Sequence, residues 1–211
     1  GQMQYWAKEY QDRFVHKLIG GRGTYLELGS HHPFDGNNTA ALEWLGWKGI
    51  SIDFQDRWIN LFNNSSRRNP CIKVDATTQN FVDIMRKTIK HFNALSDKHF
   101  NYISLDIDSA AIPCLKLLIS NGYTFDVMTF EHDIYKKDAE TKYRKEESIK
   151  ILKAAGYKML FENVLTKGTE KYDVEGNNIW EPWEDWWVSE KYFDKVENFK
   201  NIKYEDTLRL I

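Results

Sequence analysis

Five short apolar runs punctuate the chain, and each is followed by a segment with helical spacing. The runs are TYLELG (24–29), GISIDF (49–54), CIKVDA (71–76), NYISLDID (101–108) and TFDVMTFEHD (124–133). Behind them come TAALEWLGW (39–47), DRWINLFNNSS (56–66), NFVDIMRKTIKHF (80–92), AAIPCLKLLISNG (110–122) and AETKYRKEESIKILKAAG (139–156). Strands alternating with helices of this length require a parallel sheet covered on both faces. Two further strand-like runs, YKMLFENVL (157–165) and DWWVSE (185–190), have no helix between them and read as an antiparallel pair at one edge. The expected fold is α/β and Rossmann-like: a mostly parallel, seven-stranded sheet with an antiparallel edge pair and helices on both faces. Another doubly wound sheet, such as a flavodoxin-like one, is the alternative.

The 211 residues read as one domain, 1–211, opened by an N-terminal helical segment within residues 1–20, with apolar spacing from 5 to 18. A net charge of −2 gives no bulk attraction to nucleic acid or to a membrane surface. The two cysteines, Cys71 and Cys114, give no disulfide framework and point to a reducing compartment. No stretch is apolar for long enough to span a bilayer, and the N-terminus lacks a signal-peptide pattern, so a cytoplasmic protein is expected.

In sheets of this kind ligands bind at the carboxyl ends of the strands, near the point where strand order reverses. The first strand ends in Glu27-Leu28-Gly29-Ser30. Gly29 allows a sharp turn and a close ligand approach, or serves only as the turn between strand and helix. The loop is no dinucleotide fingerprint, because His31, His32, Pro33 and Phe34 fill the space before Gly36, and no G-K-[ST] motif follows. Asp53 ends the second strand, where a carboxylate accepts ribose hydroxyls or caps the helix starting near Asp56. Asp75 and Ala76 end the third, where an aspartate beside a small residue suits an adenine edge; a helix cap is again the alternative.

These strand ends resemble the S-adenosylmethionine-binding motifs of class I methyltransferases. The match narrows with QDRFV (11–15), TYLELGS (24–30), NNTAALEWLGWKGISID (37–53), YISLDIDS (102–109), TFEHDIY (129–135), AAGYKMLFENV (154–164) and EDWWV (184–188), which resemble the FkbM-like methyltransferases over roughly residues 10 to 190. The chain departs from that family's pattern in Asp53, where glutamate is usual, in Ser109, where glycine is frequent, and in His31-His32. The resemblance implies S-adenosylmethionine held by Glu27, Gly29, Ser30, Asn38, Thr39, Asp53, Asp75, Ala76 and Asp106. Glu27 would meet the cofactor's ammonium, and backbone amides near Gly29 and Asn37 to Thr39 its carboxylate. The acceptor it implies is a small-molecule or glycan hydroxyl, with no role for nucleic acid; no N-P-P-Y motif follows the fourth strand.

The family's sheet order makes the fourth and fifth strands neighbours. Asp106 and Asp108, two apart, then point one way, as do Glu131 and Asp133, with His132 opposite. Four gathered carboxylates do not all ionise without a partner. Asp106, Asp108 and Glu131 can hold a divalent cation such as Mg²⁺; Glu131 or Asp108 can act as base with a raised pKa; or the group pairs with Lys and Arg in solvent. His132 suits a general base at neutral pH or a structural hydrogen bond. His31 and His32 line the pocket or face solvent. Arg67-Arg68 reads as a small surface charge cluster. Residues 166–183 form a long polar connection, read as a substrate lid or as cover for the sheet edge. A catalytically silent module that binds a nucleoside or a protein remains the reading of a different class.

Overall fold

In a computed structural model, which describes residues 3–92, 95–195 and 197–211, helix α1 (Gln11–Ile19) leads into strand β1 (Thr24–Leu28). There follow α2 (Ala40–Leu45), β2 (Lys48–Asp53), α3 (Asp56–Asn63), β3 (Cys71–Lys73), α4 (Gln79–His91), β4 (His99–Leu105), α5 (Ala111–Ser120) and β5 (Thr124–Glu131). The chain continues through α6 (Ala139–Ala154), β6 (Lys158–Tyr172), β7 (Asn178–Val188), β8 (Phe199–Lys200) and α7 (Tyr204–Thr207). All eight strands form one sheet in the order β3-β2-β1-β4-β5-β7-β6-β8. The first five pair in parallel, β7 runs antiparallel to both β5 and β6, and the two-residue β8 adds a parallel edge beyond the expected seven. Among the described residues no helix is long and apolar enough to cross a membrane.

Alternation along the strands sorts the core into two layers. Leu26, Ile52, Ile103, Met128 and Trp187 pack with residues of α4, α5 and α6, including Phe81, Met85 and Leu115. Tyr25, Tyr102, Val127 and Trp186 pack on the other side with Phe14 and Val15 of α1 and Leu42 of α2. Both Trp186 and Trp187 are fully buried, one in each layer, because the sheet is covered on both faces. The helix ends follow local chemistry: the Thr78 hydroxyl accepts the Phe81 amide at the start of α4, and the Asp138 carboxylate accepts that of Thr141 at the start of α6.

Three expectations are corrected. The N-terminal helix starts at Gln11 rather than near residue 5, because the Asp12 carboxylate takes the Trp6 and Ala7 amides at 2.8 and 3.0 Å and Tyr10 is left-handed, φ 65°. The third strand stops at Lys73, short of Ala76. The connection 166–183 is a β-hairpin: β6 and β7 run to Tyr172 and Asn178, and the turn between them is tied by the Asp173 carboxylate accepting the Glu175 and Asn177 amides.

Strand order reverses between β1 and β4, where consecutive numbering runs outward in both directions. Here Gly29 leaves the sheet at φ +83°, and a Cβ on it would lie 1.9 Å from the Asp106 carbonyl oxygen. Only glycine fits, on both counts. Gly29→Ala is expected to destabilise the fold by at least about 2 kcal/mol, measured by urea denaturation, because a left-handed residue with a backbone clash must move strand ends apart. A stability within about 0.5 kcal/mol of wild type would refute this packing.

Candidate functional site

Two cavities open at the carboxyl ends of the parallel strands and share Gly29, His31 and Asp106. The first, about 240 Å³, is walled by Ile52, Asp53, Phe54, Val74, Asp75, Ala76 and Ile107. The second, about 190 Å³, is walled by Glu27, Ser30, Asn37, Asn38, Trp183 and Lys8. Wider hollows lie beside Trp44 and beside Arg86, away from the strand ends. Of the nine residues expected to hold a cofactor, eight line one of the two cavities; Thr39 lies fully buried beneath them.

In the first cavity, Asp53 both caps a turn and faces the hollow. Its Oδ1 accepts the Phe54 and Gln55 amides at 2.8 and 3.0 Å, and its Oδ2 accepts the His31 amide at 3.0 Å. Oδ2 also takes the Ser30 hydroxyl at 3.4 Å, the longest of these four contacts, and a ligand hydroxyl would compete for that position. Asp75 accepts the Thr77 amide and hydroxyl through Oδ1, which holds its carboxyl below the usual carboxylate range. Phe54, 63% exposed, stands at the rim, an apolar plate beside Asp75 and Ala76.

The second cavity rests on a buried polar network. Glu27 is 1% exposed, and its Oε1 accepts from Ser51, Thr39 and Asn37 at 2.7, 3.0 and 3.3 Å. Burial raises its pKa, against the pull of the Arg67 guanidinium. Arg67 is itself buried; it donates to the Pro33 carbonyl, Asn37, Tyr25 and Thr39, and its Nε lies 3.2 Å from Glu43. It is therefore a keystone of the loop rather than part of a surface charge cluster. Asn37 Oδ1 accepts the Thr39 and Ala40 amides at 2.8 and 2.9 Å and so caps α2 from upstream. Most of the amides expected to receive a carboxylate are thus engaged: those of Gly29 and Ser30 donate to the Ile52 carbonyl, that of Asn37 to Phe34, and that of Thr39 to Asn37, which leaves that of Asn38. Asn38 donates to the Ser104 hydroxyl at 3.0 Å.

Beside the shared floor the ends of β4 and β5 gather carboxylates, though not in the expected set. Oxygens of Asp108, Glu131 and Asp133 lie within 4.8 Å of one another. Asp133 replaces Asp106 in this triple because Asp108 and Asp133 are left-handed, φ 52° and 56°, so strand alternation ends before either. Arg144 sits 3.2 Å from Asp133 and 3.9 Å from Glu131, and Lys136 lies 3.6 Å from Asp133. Trp183 Nε1 donates to Glu131 Oε2 at 2.9 Å. Burial, then the neighbouring carboxyls of Asp106 and Asp133, push Glu131 well above the usual range, and burial also raises Asp106.

The expectation of His132 as general base is corrected by its position. It is fully buried, with Nε2 3.0 Å from Asp185 Oδ1 and Nδ1 accepting the Ile134 amide at 3.1 Å. Asp185 also takes Lys145 on both oxygens at 3.0 Å and the Asn163 amide at 2.8 Å. With both ring nitrogens engaged away from the cavities, His132 joins a structural ion network. Lys8 and Arg67 are site residues that sequence reading did not assign; Trp183, readable with Trp180 and Tyr172 as a stacking aromatic of the 166–183 connection, instead lines the second cavity and holds Glu131.

No protein-family model matches the sequence, and no curated protein does. Solved structures do match. An O-methyltransferase from Bacillus cereus in complex with SAH is 12% identical at a TM-score of 0.51, covering 90% of this chain and 84% of that one. A candidate rRNA-methylase from Clostridium thermocellum is 14% identical at 0.52, covering 88% and 98%. WbdD is 16% identical at 0.50; the match covers 85% of this chain, which spans 33% of that one. At such identities the likeness is one of fold. The chain has the Rossmann-like fold of S-adenosylmethionine-dependent methyltransferases.

One strand beyond the cluster, across β7, Glu184 is fully enclosed, accepting from Trp186 at 2.8 Å and Gln11 at 3.2 Å. Burial, then the Asp106 carboxyl, push it up to about 8. The native protein therefore keeps a proton that the unfolded chain releases near pH 4.5, and stability falls as pH rises from there to about 8. Glu184→Gln keeps an oxygen acceptor without the proton equilibrium. Urea unfolding at pH 5 and pH 8 is expected to show the variant gaining on wild type with pH, by an amount on the order of a few kcal/mol. Parallel losses in the two proteins would show that Glu184 ionises normally.

Proposed function

We propose that this chain is an S-adenosylmethionine-dependent methyltransferase that methylates a hydroxyl of a small molecule or glycan. The observation that carries the reading is the pair of cavities meeting at Gly29 and Asp106, with Asp53 and Asp75 in one, Glu27 in the other, and Glu131 beside the junction. The donor set fits the cofactor. Asp53 would accept the ribose hydroxyls, Asp75 and Ala76 would border the adenine with Phe54 against its face, and Glu27 would answer the ammonium. The FkbM-like motifs support the same assignment within this fold, and the buried free thiols Cys71 and Cys114 support a reducing compartment.

When bound, the cofactor supplies a methyl group already activated on a sulfonium. The protein must align the acceptor oxygen, exclude water and take the hydroxyl proton. Alignment supplies roughly 7–11 kcal/mol in well-oriented systems. Glu131 is suited to the proton. Trp183 fixes its Oε2, and a carboxylate raised toward neutral is a stronger base than an ordinary one. Asp108 lies within reach of the same place and would orient the acceptor.

A second reading rests on the three-carboxylate cluster. Asp108, Glu131 and Asp133 form a hard-oxygen donor set of the kind that holds Mg²⁺, and a cation there would polarise the acceptor hydroxyl. Arg144 and Lys136 already balance part of that charge, which favours the cation-free reading.

Titration calorimetry with S-adenosylhomocysteine, with and without Mg²⁺ and against NAD, tests the cofactor class. Micromolar binding of the homocysteine compound alone is expected; no binding would move the reading to a silent module. Asp53→Ala is expected to weaken that binding by about 1.5–3 kcal/mol, the loss of charge-assisted hydrogen bonds. With an acceptor in hand, kcat is expected to rise with pH through one ionisation above the ordinary carboxylate range. Glu131→Gln should remove that limb and lower kcat about 10²–10⁴-fold while cofactor affinity holds. An unchanged pH profile in the variant would clear Glu131 of the role.

A further inference from the structure

The methionine end of the cofactor presents an α-carboxylate as well as an ammonium, and of the backbone amides at Gly29, Ser30 and Asn37 to Thr39 all but that of Asn38 are engaged internally. Asn37 takes the first amides of α2, and Ile52 and Phe34 take those of Gly29, Ser30 and Asn37. The second cavity nevertheless has one cation on its wall, Lys8, from a segment outside the sheet. Its ammonium lies 5.4 Å from the centre of the Trp183 ring, and among the described residues it has no carboxylate within 4.0 Å. Asp35, exposed on the same rim, would favour the cofactor's ammonium and not its carboxylate.

Lys8 is not a loose surface residue. Its segment is fastened as a strap across the loop after β1. Ala7 bridges to Gly36, the Gly36 amide donates to the Trp6 carbonyl at 3.1 Å, and the Trp6 and Phe34 rings stand 5.3 Å apart. Asp12 holds the Trp6 and Ala7 amides from behind. On the far side of Lys8, Glu9 is buried and accepts the Thr166 hydroxyl at 2.5 Å. Residue 9 thus points in and residue 8 points to the cavity. We propose that Lys8 is the carboxylate-recognition residue of the cofactor site, delivered by this strap in place of the α2 amides. The inference rests on the methyltransferase reading above, and it makes the strap the wall that closes the methionine cavity.

The test compares two nucleosides that differ in the amino-acid end. S-adenosylhomocysteine carries the carboxylate; 5′-deoxy-5′-methylthioadenosine lacks it and would occupy only the first cavity and the junction. Calorimetry on wild type, Lys8→Met and Lys8→Arg is the experiment. Lys8→Met keeps the apolar stem and removes the charge. It should weaken S-adenosylhomocysteine about tenfold and leave methylthioadenosine within about twofold, as expected for one partly exposed charge-assisted contact. Lys8→Arg should restore most of the loss. Added salt should weaken wild type toward the variant. Amide hydrogen exchange should show residues 5–10 slowed by S-adenosylhomocysteine and not by methylthioadenosine. Equal affinity of Lys8→Met and wild type for S-adenosylhomocysteine, including the case where only the acceptor KM rises, overturns the inference and leaves the function reading intact. Equal loss for both nucleosides also overturns it, as general damage to the pocket. Failure of wild type to bind either compound overturns both.

Discussion

The network that links buried Glu27 to buried Arg67 through Thr39 and Asn37 is the interaction on which the site depends; the guanidinium's direct ion-pair partner is Glu43. A carboxylate and a guanidinium enclosed together are costly unless every remaining donor and acceptor is matched. Here most of the matching is done by the chain segments that make the cavity: Ser51 from β2, Thr39 and Asn37 from the loop before α2, Pro33 from within it, and Tyr25 from β1, while Arg67 Nε is left to the Glu43 carboxylate 3.2 Å away. Removing one member of such a network leaves a buried group unpaired, typically at 3–5 kcal/mol or so. The loop from Gly29 to Asn38 is therefore rigid for an electrostatic reason, although its sequence of histidines, proline and glycine has no regular structure to hold it.

That rigidity explains a trade in how the loop can recognise a ligand. Asn37 is drawn into the network by its Nδ2, and its Oδ1 is left to cap α2. Two of the amides at that helix start are thereby closed to an anion. The strand-end geometry of the fold survives while the anion-binding half of the strand-to-helix turn is reduced to fewer amides. The strap ahead of α1 is positioned to supply a cation in its place, since it is stitched to the same loop at Gly36 and Phe34.

The fold and the location of the site were legible because both rest on local pattern. Apolar alternation fixes which faces are buried, and a strand end followed by glycine or aspartate marks the ligand side whatever the acceptor. Strand endings were less legible. Asp108 and Asp133 take left-handed backbones, so reading two-residue alternation through them grouped Asp106 rather than Asp133 with Asp108 and Glu131. His132 was unreadable for a further reason: its partner, Asp185, is 53 residues away, on a strand whose neighbour is known only from the sheet. Arg67 looked like surface charge because it stands beside exposed Arg68, and nothing local distinguishes a guanidinium that turns inward. The hairpin was missed because its polar, lysine-rich arms extend past the sheet, where no core enforces alternation.

The charge distribution around the junction also bears on the acceptor. Asp106, Asp108, Glu131 and Asp133 surround the place where the acceptor would meet the methyl group, and Arg144 and Lys136 answer Glu131 and Asp133 alone among them. Arg144 is shared further with Glu140, at 2.6 Å. An acceptor bearing phosphate or carboxylate next to its nucleophile would enter against that field in a partly desolvated site, where like charges cost several-fold more than in water. A neutral hydroxyl has no such penalty. It can donate to one carboxylate while Glu131, raised by burial and then by its carboxyl neighbours, takes its proton. The same enclosure of neighbouring carboxyls that makes the cluster costly to the fold is what makes Glu131 useful to the proposed chemistry.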